Sequence, residues 1–172
     1  MKLADWLSKV TTRKEALTWI DSEEGEKRIV KAYKELLQGY EQDPSTILKT
    51  TRPVTEPHHG LVSIKNVNFY SLCGHHFLPF FGKVDIVYEP GEKIIGLGKF
   101  PRLVQIYAKR FQIQEDLVKD IAEEIMRSGK AKGVYVTATA RHMCMCSRGP
   151  SDDTVETSTT YGLGTLEQHI FR

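Results

Sequence analysis

The sequence predicts an α+β fold, an antiparallel sheet with helices packed on one of its faces. Two segments with alternating apolar residues, near 62–69 and 84–88, indicate a first pair of strands. Two amphipathic helices follow within residues 101–125, and a second pair of strands is indicated at 134–140 and 154–161. A parallel sheet would need strands and helices in strict alternation. Helices inserted between two strand pairs instead favour hairpins and antiparallel pairing.

The N-terminal part is predicted to form a helical arm followed by a loop, residues 1–59, ahead of a domain at residues 60–172. Apolar residues recur at helical spacing in two stretches, Leu3, Trp6, Leu7 and Val10, and then Ile29, Tyr33, Leu36, Leu37 and Tyr40. The first stretch predicts a short helix that needs a partner surface, and the second a stronger helix ending near Gly39. Prolines and the pair His58-His59 mark residues 43–60 as a loop.

The first strand pair carries two local signals. Apolar alternation slips between Ile64 and Val67, which predicts one irregularity in the first strand. Pro90-Gly91 predicts a turn between the second strand and the short apolar run 94–97.

Helix and strand ends are marked in the second half as well. Pro101 suits the first position of a helix, and a second helix after Gln112 is expected to end before Gly129. Gly133 opens the alternating run of the third strand, and the last strand, rich in threonine, spans about 154–161.

Composition excludes several classes of protein. The 24 basic and 22 acidic residues give a net charge of +2, too balanced for a protein that mainly coats nucleic acid. The hydrophobic share of 40% argues against disorder, and no apolar stretch approaches the roughly 20 residues of a membrane span. Charged residues interrupt the N-terminus, namely Asp5, Lys9, Arg13, Lys14 and Glu15. We therefore expect a cytoplasmic protein that binds neither nucleic acid nor membranes.

Two short segments hold all three cysteines and three of the six histidines: Cys73, His75 and His76 in the first, and His142, Cys144 and Cys146 in the second. The spacing of Cys73 and His76 lets one tight turn offer a thiolate and an imidazole to the same ion. If the second segment continues a strand, His142, Cys144 and Cys146 share one face and the intervening methionines face the core. Two sulfur ligands and an imidazole favour zinc among common intracellular metals.

Two kinds of zinc site fit these residues. Cys73, His76, Cys144 and Cys146 could close a tetrahedron around a structural ion. Alternatively, three ligands leave a fourth position for water, as catalytic zinc requires. In that case His75 and His142 are spare imidazoles suited to proton transfer. The catalytic version explains more of the residues, and we prefer it.

Basic residues between and after the two segments are complementary to an anionic substrate. They are Lys99, Arg102, Lys109, Arg110 and Arg148. Lys99 and Arg102 lie at a predicted helix start, where free backbone N–H groups also attract phosphate. Glu115, from its position alone, is an acid at a helix N-terminus with a favourable dipole interaction.

The sequence resembles the GTP cyclohydrolase I family, densely over residues 60–165 and loosely over 25–45. The first half of the match is Phe69-Tyr70-Ser71-Leu72-Cys73, His75-His76-Phe77, Pro79-Phe80, Gly82-Lys83-Val84 and Gly96-Leu97. The second half is Lys99, Arg102, Arg110, Gln112, Gln114-Glu115, His142-Met143-Cys144-Met145, Arg148-Gly149, Thr157-Ser158-Thr159 and Gly162. So many ordered matches are far more specific than any single motif.

The resemblance implies a T-fold, a four-stranded antiparallel sheet with two helices between the strand pairs. It implies a zinc ion (Zn²⁺) held by Cys73, His76 and Cys144, with Cys146 outside the ligand set. It further implies that His75 and His142 perform acid/base steps while water attacks C8 of the guanine ring of GTP. Formate would leave, and the ribose carbons would rearrange and reclose to give dihydroneopterin triphosphate, a precursor in pterin and tetrahydrofolate synthesis.

The resemblance also implies the contacts with the substrate and the assembly. Glu115 and the backbone near Gln114 are expected to recognise guanine. The hydrogen bonds from guanine N–H groups to the Glu115 carboxylate would be charge-assisted. Lys99, Arg102 and Arg148 are expected to contact the triphosphate. Subunits would form pentameric barrels that pair into a homodecamer, with active sites at subunit boundaries.

Four positions depart from the family pattern. Gly74 stands where the family usually has glutamate, Asp85 where it has histidine, Gly98 where it has serine, and Thr139 where it has an acid. None of these changes removes a predicted zinc ligand or either histidine. Because two acids near the site are missing, alternatives stay open. The chain could act on another purine nucleotide, stop at a ring-opened formamide, or be a non-catalytic T-fold module that binds zinc or a nucleotide.

Overall fold

A computed structural model describes residues 3–20, 22–49, 51–54 and 60–167 of the chain. Tertiary contacts divide the chain into two compact units, Met1–Leu37 and Gln38–Arg172. The division between residues 59 and 60 stays a prediction.

The first unit contains the two predicted helices. Helix α1 is Leu3–Val10, a 3-10 helix follows at Lys14–Trp19, and helix α2 is Glu23–Leu36. The hydroxyl of Ser22 caps α2 by accepting a hydrogen bond from the Gly25 N–H at 3.0 Å. Helix α2 ends at Leu36, slightly before the expected Gly39. Neither helix has a buried residue.

The second unit is built on an antiparallel sheet of four long strands. They are β2 (Val62–Cys73), β3 (Pro79–Glu89), β6 (Gly133–His142) and β7 (Thr157–Gly164), in the order β2-β3-β6-β7. The last strand begins and ends three residues later than predicted. A two-residue strand β5 (Phe111–Gln112), which the sequence did not predict, adds to β2 in parallel and faces Leu72 and Cys73.

The predicted loop at residues 43–60 is partly wrong. Its described part contains a 3-10 helix at Pro44–Lys49 and strand β1 (Thr51–Pro53), which pairs with β4 (Lys93–Ile95). The 3-10 helix is held by burial of Leu48, which is completely inaccessible to solvent. A single apolar side chain in a proline-rich segment gives no periodic signal, which is why the sequence did not reveal it. Residue 50 and residues 55–59, including His58-His59, lie outside the described residues.

The predicted irregularity in β2 is confirmed as a β-bulge. The register between β2 and β3 shifts between Ile64 and Val67, and Asn66 adopts a left-handed φ of 61°. Asp85 on β3 accepts a hydrogen bond from the Asn66 N–H at 2.6 Å. The carboxylate therefore satisfies the backbone donor that the bulge removes from the sheet ladder.

Two helices cover the sheet. Helix α3 (Lys99–Ala108) packs against β2, and helix α4 (Gln114–Gly129) packs against β6 and β7. The core between helices and sheet consists of fully buried apolar side chains, among them Phe69, Phe80, Val84, Ile86, Leu103, Leu117, Ile121, Ile125, Val134 and Val136. One short helix, α5 (Met143–Cys146), follows β6 directly. Within the described residues, no helix combines the length and apolar character that crossing a membrane requires.

Candidate metal centre

Cys73, His76 and Cys144 form a group that could hold a metal ion. One ligand atom of each residue lies within 4.8 Å of the others. The Sγ of Cys73 is 3.7 Å from Nδ1 of His76. Both cysteines are buried and His76 is exposed, so the group opens to solvent on its histidine side. Two thiols and one imidazole form a donor set that suits zinc.

A tight turn after β2 supplies two of these residues. The carbonyl of Cys73 accepts hydrogen bonds from the N–H groups of His76 (3.4 Å) and Phe77 (2.9 Å), which closes the turn. Phe77 takes a left-handed φ of 59°, and its ring stacks on Phe111 of β5 at 4.3 Å between centroids. The Gln112 carbonyl of β5 also accepts a hydrogen bond from the Gly74 N–H at 3.1 Å. The turn is thus held from both sides, which explains how Cys73 and His76 converge.

Cys144 comes from a helix, and the prediction of a continuing strand is wrong here. Strand β6 ends at His142, and Met143 begins the single turn α5, closed by the hydrogen bond from the Ser147 N–H to the Met143 carbonyl. Residues two apart on a helix do not share a face. Cys144 therefore joins Cys73 and His76, while Cys146 lies outside that group.

The environment of Cys144 favours the protonated form of its thiol. Burial raises the pKa of the Cys144 thiol, and the neighbouring Cys73 raises it further. Because thiolates are the form that binds metals, an ion that binds here must displace protons.

His142 is the last residue of β6, two residues before Cys144, and its environment is well defined. Its ring stacks on Phe80, with centroids 4.7 Å apart and planes 2° from parallel. Its Nε2 is 2.8 Å from Oε1 of Gln114. Burial lowers the pKa of His142 below the usual histidine range, and the carboxylate of Glu115 acts in the opposite direction.

The structure brings three further predicted site residues to the same region. His75 is exposed, with Nδ1 3.9 Å from the Sγ of Cys73. Glu115 is exposed in the first turn of α4 and close enough to influence His142. The Nη1 of Arg148 is 3.4 Å from Nε2 of His76 and donates to the Cys144 carbonyl at 3.5 Å.

Two predicted phosphate contacts lie at the start of α3. Lys99 and Arg102 lie in the first turn of α3, the former half-buried and the latter exposed. Among the described residues, no hydrogen bond or ion pair joins either side chain to the cysteine and histidine group.

Comparisons with known proteins show the family of the chain. The family model of GTP cyclohydrolase I matches residues 5–170. The chain belongs to this family. The GTP cyclohydrolase 1 of Campylobacter lari is 46% identical over 133 residues, which cover 77% of this chain and 70% of that protein. Those of Wolinella succinogenes (48% over 125 residues, 72% and 65%) and Pelagibacter ubique (38% over 164 residues, 91% and 81%) are also similar. The prediction of a hydrolytic enzyme is thereby confirmed.

One solved structure bears on the fold. The archaeosine synthase QueF-Like in its apo form aligns with a TM-score of 0.50 and 20% sequence identity. The alignment covers 64% of this chain and 99% of that one. Together with the family match, this confirms the predicted α+β class and its T-fold.

The four positions that we expect to depart from the GTP cyclohydrolase I pattern have identifiable surroundings. A Cβ on Gly74 would lie 3.7 Å from the Gln112 N, an ordinary contact, and one on Gly98 would meet nothing within 4 Å. Neither position requires glycine. Asp85 serves the β-bulge, and the hydroxyl of Thr139 is 3.4 Å from that of Ser158.

Sequence reasoning missed three residues that organise the site: Phe80, Thr157 and the side chain of Gln114. Phe80 supports the His142 ring, and Thr157 donates to Oε1 of Gln114 at 2.8 Å. All three are among the residues that carry the family resemblance. A single sequence, however, contains no signal that residues 28 to 62 positions apart are in contact.

Proposed function

We propose that the chain is a zinc-dependent GTP cyclohydrolase I. The reaction opens the imidazole ring of GTP by hydrolysis, releases formate and gives 7,8-dihydroneopterin triphosphate. The observation that carries this proposal is the convergence of Cys73, His76 and Cys144 beside His142, in a chain of this family.

The three ligands would hold zinc through two thiolates and one imidazole. When bound, the ion supplies a Lewis acid that activates water at neutral pH. Three protein ligands instead of four would leave the ion accessible to water or substrate. That Cys146 lies outside the group supports this open site over the closed structural one.

His75 and His142 are proposed to move protons during ring opening. His142 has a lowered pKa, so its neutral form, which can accept a proton, is populated at neutral pH. His75 is exposed beside Cys73, where it can exchange protons with solvent. Two imidazoles near one reacting centre can act in turn as base and acid.

Recognition of GTP is assigned to two sets of residues. The carboxylate of Glu115 is suited to the N–H groups of guanine, and the Gln114 backbone lies at a helix start, where N–H groups lack helical partners. Arg148 would meet the triphosphate beside the metal. Lys99 and Arg102 would complete its charge neutralisation, at subunit boundaries of a homodecamer. The enzyme would serve pterin and tetrahydrofolate synthesis in the cytoplasm.

The test is turnover of GTP by the zinc-loaded protein. We expect formate and, after oxidation, a fluorescent pterin, in equal amounts. His142→Ala should abolish both products and keep the bound zinc. Mass spectrometry of the product identifies a ring-opened formamide or a different purine substrate. Absence of formate from a zinc-replete oligomer, with any purine nucleotide, contradicts the proposal and favours a non-catalytic module.

A further inference from the structure

The side chain of Gln114 is almost completely buried, with 3% of the residue exposed, and every one of its polar groups is used within the protein. Its Nε2 donates to the carbonyls of Ala138 (2.8 Å) and Thr157 (3.1 Å). A carbonyl can only accept hydrogen bonds, so the nitrogen of this amide must face the two strands. The orientation of the amide is therefore determined by β6 and β7.

The other end of the amide faces His142. Oε1 of Gln114 accepts a hydrogen bond from the Thr157 hydroxyl at 2.8 Å, and Nε2 of His142 lies at the same distance. An amide oxygen has no proton to give. The hydrogen in this contact must consequently belong to Nε2 of His142, in the neutral ring as in the cation.

The plane of the ring is held independently of the amide. Phe80 stacks on the His142 ring, and the register places Phe80 directly opposite His142 across β3 and β6. With one nitrogen bonded and one face covered, the imidazole has a single orientation.

We propose that Gln114 is a positioning residue that fixes the proton of neutral His142 on Nε2, so that Nδ1 is the nitrogen through which His142 exchanges protons with the substrate. The second half rests on the proposed function, since it takes His142 to be an acid/base group. The first half rests on the hydrogen bonds alone. Any role of Gln114 in binding guanine then falls to its backbone.

The chemistry of the side chain explains why an amide is required. Glutamine offers two donors to the strand carbonyls and an acceptor to His142 at the same time. An ionised glutamate would direct an acceptor at two carbonyls, and an apolar residue would remove the acceptor of the imidazole N–H together with both hydrogen bonds to the strand carbonyls.

The direct test is 15N NMR of the zinc-loaded, histidine-labelled protein, with the His142 signals assigned by their loss in His142→Ala. We expect a protonated Nε2 and an unprotonated Nδ1 in a single tautomer. A proton on Nδ1, or a mixture of tautomers in wild type, overturns the proposal. If GTP is not consumed while the Nε2 tautomer is observed, only the proposed function and the role of Nδ1 fail.

Gln114→Leu tests the causal role of the amide. We expect kcat for GTP to fall by at least about tenfold with KM within about threefold, and His142 to show a mixture of tautomers. The matched control is Gln105→Leu on α3, which removes an amide that donates to the Asn68 carbonyl of β2 at 2.7 Å. This variant should leave kcat within about twofold of wild type. An unchanged kcat and a single tautomer in folded Gln114→Leu overturn the proposal.

Thr157→Val provides a milder test should Gln114→Leu fail to fold. It removes the other donor to Oε1 and keeps the two hydrogen bonds that orient the amide. We expect His142 to keep the Nε2 tautomer in this variant. Loss of that tautomer would show that the amide does not determine the proton position.

Discussion

Cys144 and Cys146 are separated by one residue, yet only the thiol of Cys144 lies with Cys73 and His76. On a strand the two cysteines would share a face, but in the helical turn α5 they point in different directions. The difference between a closed zinc site and one with an open position therefore depends on where β6 ends.

A metal-content measurement tests this at the level of single residues. Cys144→Ser should lower the zinc bound per chain to less than about a tenth of the wild-type value, because a hydroxyl is a poor substitute for a thiolate. Cys146→Ser is the matched control and should keep one zinc per chain. Equal loss of zinc from both variants, measured by elemental analysis of the folded proteins, would contradict the assignment.

For single residues, the sequence indicated which side chains could bind a metal, but it did not indicate the contacts that orient them. Residue types and local spacing suggested a metal but left open whether Cys146 is a ligand, and the set Cys73, His76 and Cys144 was implied by the family resemblance. The pairing of His142 with Gln114 and Phe80 could not be predicted, because it depends on tertiary packing between β3, β6 and α4. The strand interpretation of residues 143–146 failed because alternation over four residues does not distinguish a strand end from one helical turn.

Among the secondary-structure elements, strands β3 and β6 leave no room for a side chain at Gly82. A Cβ there would lie 1.9 Å from the Thr139 carbonyl oxygen and 2.7 Å from the Cα of Ala140. Both are backbone atoms of a central strand, so they cannot move without disturbing the sheet.

Gly82→Ala should consequently lower the free energy of unfolding by about 1–3 kcal/mol or more. Gly98→Ala is the matched control, since a Cβ there meets nothing and φ is −66°; it should raise stability by about 0.4–1 kcal/mol. Urea unfolding of both variants checks the pair. A Gly82→Ala protein as stable as wild type would show that the strands are further apart than described.

A buried hydrogen bond joins helices α3 and α4. The hydroxyl of Tyr107 donates to the buried carboxylate of Glu124 at 3.0 Å, and Arg127 and Ser128 donate to the same carboxylate. Burial and the adjacent Glu124 raise the pKa of Tyr107 well above its usual range. Tyr107 thus binds its proton more tightly in the folded state than in the unfolded one.

Tyr107→Phe should lower the free energy of unfolding at neutral pH by about 1.5–3 kcal/mol, as expected for a hydrogen bond to a carboxylate. Because the folded-state pKa is raised, the wild-type advantage is complete below about pH 10, the pKa of unfolded tyrosine, and declines above it. Urea unfolding at pH 7 and at pH 10.5 measures both effects, with Tyr135→Phe as control. An advantage that grows above pH 10 would refute the contact.

The sequence anticipated the elements better than their edges. The β-bulge was visible because apolar alternation changes phase between Ile64 and Val67. Strand β5 was not, because two residues are too few for a periodic signal and their pairing is with Leu72 and Cys73, about forty residues earlier. The predicted end of helix α2 and both predicted ends of strand β7 differ from the observed ones by about three residues. End positions depend on local caps and partners more than on periodicity.

For the whole molecule, the edges of the sheet are the surfaces that bear on the proposed assembly. Among the described residues, β7 pairs only with β6, and β2 has a partner on its outer side only at Leu72 and Cys73. Unpaired strand edges are suited to pairing with another chain. The proposed homodecamer would have a mass of about 196 kDa from chains of 19.6 kDa. Sedimentation analysis at micromolar concentration should find this species, and a monomer of about 20 kDa would contradict it.

The central claim is that one zinc ion is held by two thiolates and one imidazole and keeps a position for water. X-ray absorption at the zinc edge of the isolated protein tests it most directly. We expect two sulfur and two nitrogen or oxygen atoms as nearest neighbours of zinc, the same in wild type and Cys146→Ser. A third sulfur in wild type that is lost in Cys146→Ser, or the absence of zinc, would contradict it.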